Sequence, residues 1–303
     1  MNTWPALDYS SASETYKTLH QWLQIVGKVR LKSAAWQNQS WHVTLYVTPF
    51  GLTTGTMPVG ENTFQIDFDF REHRLIIKTC YAEDRSFNLT DKTVSSFYKE
   101  LFSTLKSLGI EVDIHAAPNE MEPAIPFADN HMGDYDKSAV ESLWKALYKV
   151  DSVFKEFNGR YKGKKSPVHL FWGAFDLAVT RFTGRPAPKH PGGMPNMPLE
   201  VMQEAYSQEV FSVGFWPGAD DFPVPVFYAY CYPTPESFKE QNVLPKEAFW
   251  SNELGEFMLK YEDVISSTDP KSTLLDFMQS TYDAAATLGD YSPDLLVSED
   301  EKW

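Results

Sequence analysis

Alternation between apolar and polar residues marks several segments in the first part of the chain. Residues 41–48 (WHVTLYVT) and 64–70 (FQIDFDF) place apolar side chains on one face and polar side chains on the other, which is typical of strands with one buried face. Residues 75–79 and 110–115 are predicted as further strands. Short connections between the first three segments predict an antiparallel meander with a single core face.

Apolar residues recur at helical spacing in four other segments. They predict helices over about residues 11–31, 93–108, 136–157 and 271–288. A serine can cap the start of the first helix, and a glycine follows both the second and the last, as is common at helix ends.

The run over residues 168–182 is apolar on both faces. It is typical of a buried central strand or of a bent pair of strands. Two later segments, 209–216 and 226–232, are predicted as strands of the same region. The second part of the chain therefore has the same order of elements as the first, helix, strands and then helix.

This order predicts an α+β fold of mainly antiparallel sheets flanked by helices. We divide the chain into an N-terminal half (1–117), a connection with three prolines (118–135), a C-terminal half (136–289) and an acidic tail (290–303), with the two halves packed as one globular unit. The shared order indicates either two pseudo-repeated halves or a chance similarity between two helix-to-strand junctions.

Composition narrows the class of protein. The 303 residues carry a formal net charge of −14, which disfavours binding to phosphate backbones, so no nucleic-acid partner is expected. No apolar stretch is long enough to span a membrane, and the first residues lack a signal-peptide pattern. The two cysteines, Cys80 and Cys231, do not form a disulfide framework. We therefore expect a cytoplasmic protein without a membrane partner.

Several long segments resemble a known family. They include SPVHLFWGAFDLAVTRFTGRPAPKHPGGMPNMP, WLQIVGKVRL, SWHVTLYVT, FQIDFDF, EAYSQEVFSVGFWPG and FMQSTYDAAA. From about Trp4 to Ala286, the chain resembles bacterial proteins grouped as domain of unknown function 5996. The resemblance implies no activity, cofactor or substrate, so the cofactor stays unknown and the functional prediction depends on individual residues.

Asp176 is the most informative of these residues. It lies in LFWGAFDLAVTRF with apolar residues on both sides, and a buried carboxylate is unfavourable unless it is paired or hydrogen-bonded. Arg181, five positions later in a regular strand, faces the opposite side, so the partner of Asp176 must come from elsewhere. Asp176 is either a polar contact that fixes strand geometry or a residue of a binding site.

Residues 183–198 (TGRPAPKHPGGMPNMP) form a long loop rich in proline and glycine. Such a loop is either an ordered cover of a binding site or a stiffened surface connection. Arg185, Lys189 and His190 bring cations to an acidic protein, and together with Arg181 they could bind an anionic group.

Aromatic residues and histidines complete the candidate ligand-binding set. The rings of Trp172, Trp216 and Tyr228, with Glu209 beside them, could form the wall of a pocket, although packing in an aromatic-rich core explains the rings equally. His42 and His169 enter strands at similar junctions and are either site residues or structural side chains bonded to backbone carbonyls.

Two functions follow from these candidates. The first is a binding protein or enzyme for a small molecule, with an anionic ligand as one option and a pocket built from the second half. The alternative is a non-catalytic interaction or scaffold protein whose aromatic core is only structural. Motifs for dinucleotide, P-loop, zinc-protease and serine-hydrolase chemistry are missing, no metal ligands are assigned, and the residues do not decide whether the protein is an enzyme.

Overall fold

A computed structural model describes residues 4–297. Over this range the chain forms an α+β fold with two six-stranded antiparallel sheets, which confirms the fold class predicted from sequence. The first sheet has the order β1-β2-β4-β5-β6, with β3 paired to β4. Its strands are β1 (Tyr46–Thr48), β2 (Gly51–Thr53), β3 (Met57–Val59), β4 (Asn62–Asp69), β5 (Arg74–Thr79) and β6 (Arg85–Asn88).

The second sheet has the order β11-β12-β10-β9-β8-β7. Its strands are β7 (His169–Phe171), β8 (Asp176–Pro186), β9 (Gln208–Trp216), β10 (Val226–Tyr232), β11 (Phe249–Ser251) and β12 (Glu256–Lys260). The apolar run at 168–182 is therefore the bent pair of strands β7 and β8, joined by a tight turn in which the Phe175 amide donates to the Phe171 carbonyl.

Six α-helices accompany the sheets in the described part of the chain. They are α1 (Tyr9–Ser33), α2 (Val94–Ser107), α3 (Lys137–Gly159), α4 (Leu199–Ala205), α5 (Tyr261–Ile265) and α6 (Pro270–Leu288). The four long helices match the four predicted ones within a few residues. The side chains of Asp8, Thr93, Asp136 and Asp269 cap them by accepting from backbone amides of the first turn.

Packing joins the two sheets through α1 and α3. Helix α1 contacts α2, α3 and β3, and Trp22, Ile25 and Val29 on it are fully buried. Helices α3 and α6 cover one face of the second sheet. A pair of backbone hydrogen bonds links the sheets directly, since Leu45 and Leu170 exchange bonds of 2.9 and 2.8 Å.

Some predicted elements differ from the structure. The strand predicted over 41–48 is reduced to β1, because Ser40 adopts a positive φ of 57° and the chain turns through residues 41–44 before it reaches the sheet. The strand predicted over 110–115 is wrong. Ile110 and Ile114 bury their side chains as the alternation indicates, but within the described residues this segment is not paired with any strand.

The proposed division into two halves stays a prediction. The tail predicted over 290–303 lies partly outside the described residues, and its first part contacts the body of the protein. Leu296 forms a bridge with Tyr161, and the Val297 amide donates to the Arg160 carbonyl.

Candidate functional site

In strands β8, β9, β10 and β12, the two faces of the second sheet are separated by residue parity; in β7 the parity is reversed, because Phe171 pairs with Asp176 and His169 with Ala178. Odd-numbered residues such as Leu177, Phe211 and Phe227 are buried beneath α3 and α6. The even-numbered face borders a cavity of about 870 Å³. The residues of this face that line the cavity are Asp176, Ala178, Thr180, Phe182, Val210, Ser212, Trp216, Tyr228, Tyr230, Glu256 and Met258.

Segments from outside the sheet form the opposite wall. Helix α1 contributes Lys28, Leu31 and Lys32, and the connection after α2 contributes residues 114–120 in part. The loop before α4 and α4 itself add Met194, Asn196, Met197, Pro198, Val201, Met202, Ala205 and Tyr206. The cavity is thus bounded by both halves of the chain, with its floor on the second sheet.

Asp176 lies on the cavity floor at the start of β8 and is only 8% exposed. The Tyr228 hydroxyl donates a hydrogen bond to Asp176 Oδ2. Burial raises the pKa of Asp176 to about 6, and the hydrogen bond from Tyr228 opposes part of this increase. The partner of Asp176 therefore lies outside its own strand, as the sequence predicts.

Glu120 and Glu256 place two more carboxyl groups in the same cavity. Burial raises the pKa of each to about 7, and the negative charge of Asp176 adds to the increase in both cases. We call Glu120, Asp176 and Glu256 the carboxyl cluster. Because two of its members titrate near neutral pH, the cluster can take up or release protons under ordinary conditions.

Three glycines lie directly against side chains that line the cavity, at positions where a larger residue would overlap them. A Cβ atom at Gly214 would overlap the Tyr228 ring, and one at Gly173 would overlap the Glu120 carboxyl group. A Cβ atom at Gly27 of α1 would overlap the Trp172 indole. The positions of these three side chains therefore depend on the absence of a neighbouring side chain.

Tyrosines line both the floor and the opposite wall of the cavity. The hydroxyl groups of Tyr206 and Tyr230 lie 2.9 Å apart, and the rings of Tyr228 and Tyr230 stack with centroids 6.1 Å apart. Burial raises the pKa of Tyr228 and Tyr230 well above the usual value, so both remain neutral hydroxyl groups at physiological pH.

Lys28 is the buried cation of the cavity. Its Nζ donates to Asn119 Oδ1 and lies 5.4 Å from the centre of the Trp172 ring. Burial lowers its pKa to about 8. Within residues 4–297, Lys28 forms no ion pair with the carboxyl cluster.

His169 lines the cavity with one ring nitrogen free. Its Nδ1 lies 2.7 Å from the Pro167 carbonyl oxygen, which can only accept, so Nδ1 carries the proton. Burial lowers the pKa of His169 to about 4, and the ring is therefore neutral. Its buried Nε2 can accept a hydrogen bond but has no partner among the described residues.

The structure brings together half of the residues predicted from sequence. Asp176, Trp172, Trp216, Tyr228 and His169 all line the cavity. Arg181, Arg185, His190, Glu209 and His42 do not, and they lie in four other environments.

Arg181 faces away from the cavity, as its odd spacing from Asp176 predicts. Its guanidinium group lies 3.4 Å from the centre of the Phe157 ring and 4.6 Å from that of Tyr282, and its Nη2 donates to the Phe157 carbonyl. Burial lowers the pKa of Arg181 to about 9. The side chain belongs to the core under α3 and α6.

Arg185 and Glu209 bind each other near the protein surface. Arg185 Nε donates to Glu209 Oε2 at 2.7 Å, and further contacts of Arg185 reach the carbonyls of Gly289 and Asp290. These contacts fix the end of α6 to the second sheet.

The two remaining histidines have local roles. His190 stacks on Tyr206 with centroids 4.5 Å apart, behind the cavity wall. His42 Nδ1 lies 3.2 Å from the Gln37 carbonyl, and the His42 carbonyl accepts from Arg30 Nε, so His42 stabilises the turn after α1.

Sequence reasoning missed Glu120, Glu256, Lys28, Tyr206 and Tyr230 as parts of one site. Glu120 lies in the proline-rich connection, where no pattern singles it out. Tyr230 could have been assigned to the site, because it lies two positions from Tyr228 and therefore on the same face of a predicted strand. No pattern joined Glu256 or Lys28 to this strand, because their proximity arises from the tertiary fold.

Two features are absent from the described part of the chain. No group of three or more His, Cys, Asp or Glu side chains in residues 4–297 is arranged to hold a metal ion. None of the described helices combines the length and apolar character needed to cross a membrane.

Comparison with known proteins places the chain in a family without adding a mechanism. No curated protein and no solved structure matches the chain. The model of a family of unknown function, DUF5996, matches residues 4–298, which is nearly the whole chain and agrees with the resemblance seen in the sequence. The chain belongs to the DUF5996 family.

Proposed function

We propose that this protein binds a small molecule in the cavity on the even-numbered face of the second sheet. The observation that carries the proposal is a cavity of about 870 Å³ that is lined by three carboxyl groups and by aromatic side chains. Small-molecule sites in proteins typically occupy roughly 300–1,000 Å³ and combine apolar walls with a few polar groups.

The alternative, a purely structural aromatic core, explains these side chains less well. Buried polar groups in a structural core are normally satisfied by partners in the protein. The buried His169 Nε2 has no donor, and Glu120 and Glu256, which are partly exposed where they line the cavity, accept no hydrogen bond from another described residue. These groups are suited to a partner that enters the cavity.

The proposal covers both reversible binding and catalysis. The pKa values of about 7 for Glu120 and Glu256 suit a general acid and a general base at neutral pH. The earlier expectation of an anionic ligand depended on four cations, none of which lines the cavity, so its support is removed: Arg181, Arg185, Lys189 and His190.

A cytoplasmic location is part of the proposal. Its support is that Cys80 and Cys231 are both free, as is usual for proteins kept under reducing conditions. The net charge of −14 supports a partner other than nucleic acid.

A thermal-shift screen with a blocked cavity tests the proposal. Ala174 lines the cavity in the exposed turn between β7 and β8, and we expect Ala174→Trp to narrow the cavity without disturbing the core. Ala82→Trp, in an exposed loop of the first sheet, is the matched control. Members of a diverse small-molecule library should stabilise the wild type and Ala82→Trp, by about 2.7 kcal/mol at a free concentration of about 100 Kd, and should not stabilise Ala174→Trp.

Two outcomes would contradict the proposal. The first is a library without any stabilising compound. The second is a set of stabilising compounds that act equally on Ala174→Trp and on the control.

A further inference from the structure

We infer that the cavity recognises a primary ammonium group attached to an apolar or aromatic body, with the ammonium bound between the carboxyl cluster and His169. This inference rests on the proposed function and specifies the class of ligand. Four observations carry it.

The first observation is an excess of unpaired negative groups. No member of the carboxyl cluster forms an ion pair with a residue in the 4–297 range, and Tyr228 is the one other residue that donates a hydrogen bond to any of them. The charge of Asp176 also acts unfavourably on Glu120 and Glu256. A cation placed among the three groups would relieve this repulsion and replace the protons that otherwise neutralise them.

The second observation is independent of charge. His169 is 1% exposed and lines the cavity, and its buried Nε2 is an acceptor without a donor among the described residues. Because the ring is neutral, it does not repel a cation. Acceptors without a protein donor on Glu120 and Glu256, with His169 Nε2 as a third, suit a ligand that donates several hydrogen bonds, and a primary ammonium group has three N–H donors.

The third observation concerns the walls. The rings of Trp172, Trp216, Tyr228 and Tyr230 border the cavity. The faces of indole and phenol rings attract cations, and the rings also offer apolar surface to the body of the ligand. An aromatic wall beside acids suits an organic cation better than a hydrated inorganic one.

The fourth observation is the position of the protein's own cations. The titratable groups that border the cavity are Lys28, Lys32, His115, Glu120, His169, Asp176, Tyr206, Tyr228, Tyr230 and Glu256. Lys28 uses its ammonium group to donate to Asn119, and burial is the only cause of its pKa shift, so it does not neutralise the carboxyl cluster. The acid groups therefore remain available to an ammonium group from outside.

Because the carboxyl groups take up protons, the affinity for a cationic ligand should depend on pH. Below about pH 6 the members of the carboxyl cluster become protonated, because their pKa values lie at about 6 to 7. A cation binds the ionised form, so its affinity should rise between pH 5.0 and pH 7.5.

Calorimetric titration with four probes of one shape tests the inference. The probes are 4-phenylbutylamine, its N,N,N-trimethylammonium derivative, 4-phenylbutan-1-ol and 4-phenylbutyrate. At pH 7.5 we expect the primary amine to bind at least ten-fold more tightly than the trimethylammonium probe or the alcohol, and the carboxylate to bind most weakly. At pH 5.0 the affinity of the wild type for the amine should fall at least several-fold.

Two double variants test whether the carboxyl cluster is responsible for binding of the amine. Glu120→Gln combined with Glu256→Gln should weaken binding of the amine at least ten-fold and leave that of the alcohol unchanged. Glu122→Gln combined with Glu253→Gln is the control, because both residues are exposed, do not line the cavity and lie two and three positions from the tested glutamates.

Equal or tighter binding of the alcohol or the carboxylate would overturn the inference. So would the absence of binding by all four probes, or amine binding that does not change between pH 5.0 and pH 7.5. The pH comparison uses the wild type, so the test stands even if the double variant does not fold. In each of these cases the library screen with Ala174→Trp still decides the proposed function separately.

Discussion

At the scale of single residues, the carboxyl cluster lowers the stability of the folded protein, although the same three residues belong to the proposed binding site. Burial raises the pKa values of Glu120, Asp176 and Glu256 above their ordinary range, and the charge of Asp176 adds to the rise at the two glutamates. A raised carboxyl pKa means that the folded state resists ionisation that the unfolded chain accepts freely. The cluster therefore destabilises the protein without a ligand at neutral pH.

We predict that Glu120→Gln and Glu256→Gln each stabilise the protein without a ligand at pH 8 and have little effect at pH 4. The folded pKa values are about 7 and the ordinary value is 4.5, so the penalty is absent below about pH 4.5, grows between pH 4.5 and 7 and is complete above it. Urea unfolding at the two pH values measures the difference. A variant that is less stable than the wild type at pH 8 would contradict this account.

At the scale of elements, strand alternation explains which predicted residues meet. Asp176 and Tyr228 share the even-numbered face of the second sheet, whereas Arg181 occupies the other face. The alternation was visible in the sequence and placed Arg181 on the far side. The strand at 226–232 was also predicted with its observed bounds.

Elements without a periodic pattern were not predictable in this way. Strands β11 and β12 are three and five residues long, too short for alternation to stand out from chance. Glu256 was therefore missed together with the strand that carries it. Residues 110–115 show the opposite case, in which alternation reflects burial of a segment without strand partners.

The buried Arg181 provides a prediction at this scale. Its Nε and Nη1 atoms have no hydrogen-bond partner among the described residues, so the guanidinium group is incompletely satisfied. We expect Arg181→Met to be at least as stable as the wild type, because it replaces a buried charge with an apolar chain of similar length. Arg181→Ala should be less stable than Arg181→Met by about 2–5 kcal/mol, because it leaves a void.

Chemical unfolding compares the three proteins. Ligand binding should be unchanged in Arg181→Met, since this residue lies on the face away from the cavity. A loss of stability in Arg181→Met as large as in Arg181→Ala would show that the charge itself stabilises the fold.

At the scale of the whole molecule, Trp172 connects the two halves of the chain. Its Nε1 donates to the Val43 carbonyl at 2.8 Å, and its ring lies against Gly27 of α1. The sequence indicated Trp172 as a possible pocket residue, and it does border the cavity. Its contacts with Val43 and Gly27 could not be foreseen, because both partners lie more than 120 positions away.

We predict that Trp172→Phe lowers the free energy of unfolding by about 1–3 kcal/mol, because it leaves the buried Val43 carbonyl without a donor. Trp36→Phe is the matched control, since Trp36 is 68% exposed. Denaturant unfolding should show little change in the control. Equal stability of the two variants would mean that the bond to Val43 contributes nothing to the fold.

Because the cavity lies between two parts of the fold, a bound ligand should change the mechanical stability of the protein. Its floor lies on the second sheet, and part of its opposite wall is α1, near the beginning of the chain. A molecule held between them would resist separation of the two, so in an optical trap that pulls on the ends of the chain it would raise the force at which α1 detaches. Occupancy could then be counted one molecule at a time, without a chemical assay.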